Sequence, residues 1–157
     1  MDKKYGNVTI HPLNKKRCFF TVKIMAACLR KEDAREIECL GQEKEQAIYE
    51  SITCSDEVYT ARGANAELIM VFGFVKKNHI IWALGTEMIN NYHKALVKCG
   101  MDYIKDCLKK YTYMENWIHK DNKKALRYIK HAGAVFIEEA EYQNEIFVRF
   151  RIGGNDV

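Results

Sequence analysis

The period of apolar and polar positions changes repeatedly along the chain, and the changes mark its elements. Over residues 18–29, Phe20, Val22 and Ile24 alternate with Thr21 and Lys23, which predicts a strand. Residues 33–40 carry Ala34, Ile37 and Leu40 at three-residue steps, which predicts a short helix, and Gly41 stands where a left-handed cap belongs. Ala47, Ile48 and Ile52 predict a second helix over 43–53. Three strands follow, 57–62, 67–75 and 79–84, separated by the turns 63–66 and 76–78. Connections this short make them an antiparallel meander.

Residues 88–110 carry Ile89, Tyr92, Leu96, Cys99, Tyr103, Ile104, Cys107 and Leu108 at three- and four-residue steps, predicting one long helix with a broad buried stripe. Gly100 interrupts it at a cost of ~1 kcal/mol against alanine, for which a close helix–sheet contact is the expected reason. A strand over 113–118 comes next. A helix capped by Asp121 or Asn122 then runs through Ala132 and stops at Gly133. Strands near 134–138 and 145–152 close the chain as a hairpin around 141–144. The helix between the 79–84 and 113–118 strands implies a right-handed crossover and a parallel pair. The expected fold is therefore α/β (α+β): a mixed sheet, mostly antiparallel with one central parallel pair, flanked by helices. Residues 1–17, polar and ending past the sole proline, Pro12, read as an extended amino-terminal arm, and 18–157 as a single domain.

Composition narrows this little. The 157 residues are 48% hydrophobic, enough for one core. A count of 25 basic against 21 acidic residues gives a net charge of +4, mild for a dedicated nucleic-acid binder. The longest apolar run, 68–75, has strand length and falls far short of the ~20 residues of a membrane helix. No hydrophobic segment follows the charges of the first residues, so a reducing cytoplasm is expected. Cys18, Cys28, Cys39, Cys54, Cys99 and Cys107 are widely spread, which predicts reduced and mostly buried thiols. Neither they nor His11, His79, His93, His119 and His131 form the tight pairs typical of zinc ligands, and no metal site is expected.

The element order, with Asn122-x-x-Ala125 running to Gly133-Ala134-Val135-Phe136, resembles the GNAT superfamily of acyl-CoA N-acyltransferases and its Asn-x-x-Ala-x-x-x-Tyr-x-x-x-Gly-Phe helix. From about Leu29 onward the chain also resembles a family of tailed-bacteriophage proteins with a GNAT-like fold, which includes the podophage internal virion protein A. The resembling segments are 29–33 with Glu36-Ile37 and Leu40-Gly41, then 55–61, 70–73, 82–86, 115–118 and 122–139.

The resemblance implies where acyl transfer would be carried out. A diphosphate cradle belongs at the start of the long helix, where backbone N–H groups meet phosphate. There the chain has Leu84, Gly85 and Thr86, with neither a basic residue nor a second glycine, and Glu87 brings negative charge. The family's tyrosine general acid falls at position 129, which is isoleucine. Tyr128 is its neighbour, ~100° around the helix, so it is expected to serve packing. Glu87, His79 and Glu115 are candidate bases by residue type only. Asn116, Trp117 and Asn122 are candidates for a remnant acyl-CoA cleft, which Trp82 and Trp117 would help fill. Lys120, Lys123, Lys124, Arg127 and Lys130 make one strongly basic helix, either a partner or nucleic-acid surface or a solvated face balanced by Glu138, Glu139 and Glu141.

These features favour a phage virion or assembly protein, internal-core or head-associated, with acyl transfer lost and no cofactor expected. Its expected partners are other phage structural proteins, with weak nucleic-acid contact at most and no membrane. Its expected place is the host cytoplasm during infection, with packaging into the virion allowed. The alternatives are an active N-acetyltransferase using acetyl-CoA on a host or phage amine, and a DNA-proximal packing protein.

Overall fold

The computed structural model describes residues 3–154. Eight strands form one sheet: β1 (Lys3–Tyr5), β2 (Val8–Pro12), β3 (Glu57–Arg62), β4 (Leu68–Val75), β5 (Ile80–Gly85), β6 (Tyr113–His119), β7 (Val135–Tyr142) and β8 (Glu145–Gly153). Their spatial order is β1-β2-β3-β4-β5-β6-β8-β7, and β5–β6 is the parallel pair. The helices are α1 (Phe19–Cys28), α2 (Lys31–Cys39), α3 (Lys44–Cys54), α4 (His93–Tyr111) and α5 (Lys123–His131). This is the expected mixed, mostly antiparallel sheet. No helix among the described residues is long and apolar enough to cross a membrane.

The meander, α2, α3, α5 and the closing hairpin lie within a few residues of their predicted places. Gly41 and Gly133 have φ of +71° and +100°, the left-handed geometry that ends α2 and α5. The two-residue turn of the closing hairpin puts positive φ on both Gln143 and Asn144, the twist that suits a tight hairpin.

Three elements depart from expectation. Residues 18–29 form helix α1 rather than a strand. The N-cap Cys18 and the helical Thr21, Val22 and Met25 are buried, a stripe at three- and four-residue steps. Phe20 and Ile24 point outward, and this second apolar face mimics strand alternation. The segment read as an arm is a hairpin, β1–β2, joined to β3 through Thr9–Arg62, Ile10–Ala61, His11–Thr60 and Pro12–Tyr59. Val8 and Ile10 are buried with Leu96 and Cys99 of α4. The long helix does not begin at residue 88: a 3-10 helix, Glu87–Asn91, precedes α4, whose N-cap Tyr92 makes no side-chain capping bond.

The core has three parts. α1 and α3 pack Val22, Met25, Ile48 and Ile52 against Val58, Leu68 and Val71. α4 covers Ile69 and Phe72, and α4 with α5 covers Met114, Phe150 and Ile152. Gly100 is explained by a helix–helix contact in place of the expected helix–sheet one. A Cβ there would stand 1.8 Å from the Tyr128 hydroxyl of α5. Cys18, Cys99 and Cys107 are buried, while Cys28 and Cys54 are exposed.

Candidate functional site

The parallel pair is held by a single rung, Ile80 opposite Glu115. Beside it the Glu115 N–H donates to the His79 carbonyl at 2.9 Å. Two residues further, an ordinary parallel ladder would have the Trp117 N–H donate to the Ile81 carbonyl. The Asn116 carboxamide stands between them instead. Its Nδ2 donates to the Ile81 carbonyl and its Oδ1 accepts from the Trp117 N–H, each at 2.7 Å. Asn116 is thus a wedge that satisfies both strands while keeping them apart, and it opens a cleft of about 1160 Å³.

Helix α2 forms one wall of this cleft. Asp33 and Glu36 are three residues apart and so share one side of the helix. Asp33 Oδ2 accepts the Gly85 N–H at the end of β5, 2.7 Å away. Glu36 Oε1 accepts the His119 N–H at the end of β6, at 3.1 Å, and the Asn122 amide at 3.3 Å. Each diverging strand therefore gives a backbone donor to a carboxylate of α2. Asp33 is only 4% exposed, and Arg30 compensates its charge through Nε at 2.8 Å and Nη2 at 3.3 Å. Burial pushes the Glu36 carboxyl up from its ordinary range, while the His119 N–H and Asn122 pull it down.

The loop from β5 to α4 is closed on itself. Besides the Gly85 amide, the Thr86 N–H bonds the Ile69 carbonyl at 2.8 Å, Met88 the Thr86 hydroxyl at 3.2 Å, and Ile89 the Thr86 carbonyl at 3.2 Å. The Ile89 side chain lies over Gly85, where an added Cβ would be 1.9 Å from its Cδ1.

Of the candidates from sequence, Leu84, Thr86, Glu87, Asn116, Trp117, Asn122, Lys124 and Tyr128 line the cleft, and Gly85 lies beneath Ile89 outside its lining. His79 and Glu115 do not. The His79 ring stacks on Tyr113 at 4.0 Å, with Nδ1 2.9 Å from the Tyr113 carbonyl. Glu115 is held on the sheet by Arg149 at 3.0 Å and Arg151 at 3.2 Å. Glu87 is exposed, and Ile129 is a core residue. Tyr128 meets α4 at Gly100, and burial pushes its hydroxyl up to about 12, so it stays protonated at neutral pH. Asn122 caps α5 by accepting the Ala125 N–H at 3.3 Å. Trp82 and Trp117 both border the cleft, and Trp82 Nε1 donates to Ser55 Oγ at 2.7 Å. On the basic helix face Lys120 pairs with Glu139 at 2.8 Å, whereas Lys123, Lys124, Arg127 and Lys130 make no ion pair among the described residues.

Sequence reasoning gave no role to Arg30, Asp33 and Glu36, although the phage-family resemblance runs through those positions. It also missed a cluster of distant residues: one ligand-type atom each from Cys39, His119 and Glu145 lie within 4.8 Å of one another. The Asp121 N–H donates to His119 Nδ1 at 3.1 Å, so the ring proton sits on Nε2 and is shared with Glu145 at 2.8 Å. That hydrogen bond holds the Glu145 carboxyl below its usual range. A metal on Nε2 would need the proton moved to Nδ1, against the Asp121 N–H. The cluster therefore serves as a hydrogen-bonded clamp between α2, β6 and β8.

The sequence model of the family described as "Bacteriophage T7, probable scaffold protein Gp13" matches residues 63–141, half of the chain. The chain belongs to that family. Comparison with curated proteins finds no match. Among solved structures, the Gp13 family chain is similar to the ribosomal-protein-S5-alanine acetyltransferase of Vibrio fischeri, with TM-score 0.68 and 9% identity, over 99% of this chain and 98% of that one. A GNAT-family acetyltransferase from Bacillus anthracis gives TM-score 0.68 and 13% identity over 98% of each chain. The spermidine N-acetyltransferase of Vibrio cholerae, solved with CoA and spermine, gives 0.62 and 12% over 94% of this chain and 95% of that one. At these identities the likeness establishes the fold, which is that of GNAT acetyltransferases.

Proposed function

We propose that this Gp13 family member is an internal-core or head-associated component of a tailed-phage virion or its assembly, and that its acetyltransferase fold no longer transfers acyl groups. The observation that carries the reading is the engagement of both strand ends by α2, with Asp33 on Gly85 and Glu36 on His119. The Gly85 amide, which the resemblance places at the diphosphate cradle, already has a buried carboxylate as its acceptor. Ile89 fills the space above that glycine. A diphosphate there would meet Asp33 and Glu87, the loop supplies no basic side chain, and the one beside Gly85, Arg30, is already held by Asp33, so the residues present do not suit acyl-CoA. Function does not follow from fold, and on this reading the retained parts maintain architecture.

Calorimetric titration with acetyl-CoA is the test. No heat of binding is expected at micromolar concentrations, and a micromolar Kd would overturn the loss of acyl transfer. For the structural role, mass spectrometry of purified virions should find the chain in the particle; its presence only in infected-cell lysate would restrict the role to assembly.

A further inference from the structure

Both edges of the sheet are blunted against pairing. β1 is three residues long and carries Lys3 and Lys4. β7 has a register shift between Phe136 and Glu138 and bears Glu138, Glu139 and Glu141. Short strands, irregular register and charge are the usual protections of an edge. Val135, Phe136, Tyr142 and Ile146 are exposed on the β7–β8 hairpin among its charged residues, and the most exposed apolar side chains, Phe19 at 64% and Phe20 at 77%, lie together on α1 with Ile24 at 43%. Ala27 and Cys28 extend the same outer stripe by one more turn. A helix apolar on both sides is normally covered on both.

The stripe has a basic border. The exposed turn Lys15–Arg17 leads directly into α1, and Lys23 stands within the stripe. Lys16 and Arg17 make no ion pair among the described residues. The nearby acids are engaged: Glu43 caps α3 by accepting the Glu45 and Gln46 N–H groups, and Glu45 pairs with Lys23 at 2.6 Å. Beside the stripe, a groove of about 380 Å³ runs between α1 and α3, with Phe19, Val22 and Tyr49 among its walls and three lysines, Lys15, Lys16 and Lys23, against the two carboxylates Glu43 and Glu45.

We propose that the α1 stripe and this groove dock an amphipathic helix of another phage assembly protein, one whose apolar face is bordered by carboxylates. The proposal rests on the assembly reading above. Charge selects this occupant, because Lys16 and Arg17, which make no ion pair among the described residues, give an acidic border an electrostatic gain that a neutral or basic segment lacks. A second copy would bring the same basic turn. In addition, α1 is ten residues and so about 15 Å long, too short by itself for the ~800 Å² per partner of a stable dimer.

The test uses the full chain and two fluorescein-labelled model helices with leucines at i, i+3, i+4 and i+7. One is flanked by glutamates, and the other has lysine in place of each glutamate. The glutamate helix should bind at least tenfold more tightly, with an affinity that falls as salt is added. Phe20→Ser/Ile24→Ser and Lys16→Glu/Arg17→Glu should each weaken it tenfold or more. All four positions are exposed, so circular dichroism and Tm should stay unchanged. The proposal is overturned by equal affinity for the two helices or by no binding. It also falls if phosphatidylglycerol vesicles bind more tightly than the glutamate helix, or if sedimentation shows a dimer that Phe20→Ser/Ile24→Ser disperses. Acetyl-CoA is titrated separately against the same preparation, so failure of the docking site and failure of the non-catalytic reading are distinct results.

Discussion

The starts of α4 and α5 were both recognisable from sequence as places where GNAT enzymes carry motifs, and they match those motifs to different degrees. α5 keeps what shapes it: Asn122 caps the helix, Gly133 ends it in the left-handed region, and Ile129 enters the core. The start of α4 keeps Gly85 and little else. A 3-10 helix replaces its first turn, Ile89 covers the glycine, and Asp33 takes the amide. At α5 the motif residues have their partners within the fold, and at the start of α4 the groups that the proposed loss of acyl transfer concerns also have internal partners.

The largest expected effect tests whether Asp33 holds the altered loop. Asp33→Ala leaves Arg30 unpaired and the Gly85 N–H without its acceptor, and a buried pair broken on one side should cost about 3 kcal/mol of unfolding free energy. Urea unfolding measures it. A loss below about 0.5 kcal/mol, ordinary for a surface change, would mean the loop is held without Asp33, and the contrast between the two helix starts would lose its cause.

The altered loop was legible only in part. Its missing glycine and basic residue are read directly from 84–87, because a phosphate cradle is a local device. Its replacement is not local: Asp33 and Glu36 meet Gly85 and His119 across 52 and 83 residues. Ile89 continues the apolar period of α4 but folds back over Gly85, so periodicity placed the helix start too early. The error at α1 has the opposite origin, since apolar residues on both faces erase the moment that distinguishes helix from strand. The meander, α5 and the closing hairpin were legible because each has one buried face and turn chemistry to match. In β1–β2 the alternating Val8 and Ile10 were present, but too few to outweigh the polar residues around them.

A smaller effect is expected at the start of α5. Asn122→Ala removes the acceptor for the Ala125 N–H and a donor to Glu36, and loss of such a cap typically costs ~1 kcal/mol. The comparison predicts that Asn122→Ala costs less than Asp33→Ala, and the reverse order in the same urea series would place the structural weight at α5.

The smallest effect concerns Tyr128, which joins the two helices, and it is absent at neutral pH. Its hydroxyl titrates near the ordinary tyrosine value of about 10 in the unfolded chain and is pushed up to about 12 in the fold, chiefly by burial. The folded state therefore keeps this proton over a range in which the unfolded chain has lost it. The stabilisation that depends on the proton is complete below pH 10 and disappears as pH rises through about 12. Cys99 behaves alike, with burial pushing its thiol up to about 11. Tyr128→Phe should therefore make unfolding free energy fall less steeply between pH 10 and pH 12, with a difference of about 1 kcal/mol at pH 11. Cys99 remains in the variant, so some alkaline loss persists in both proteins, beginning at a lower pH. If Tyr128→Phe leaves the alkaline slope unchanged, the hydroxyl is not buried against Gly100, and the tyrosine is free to serve the cleft.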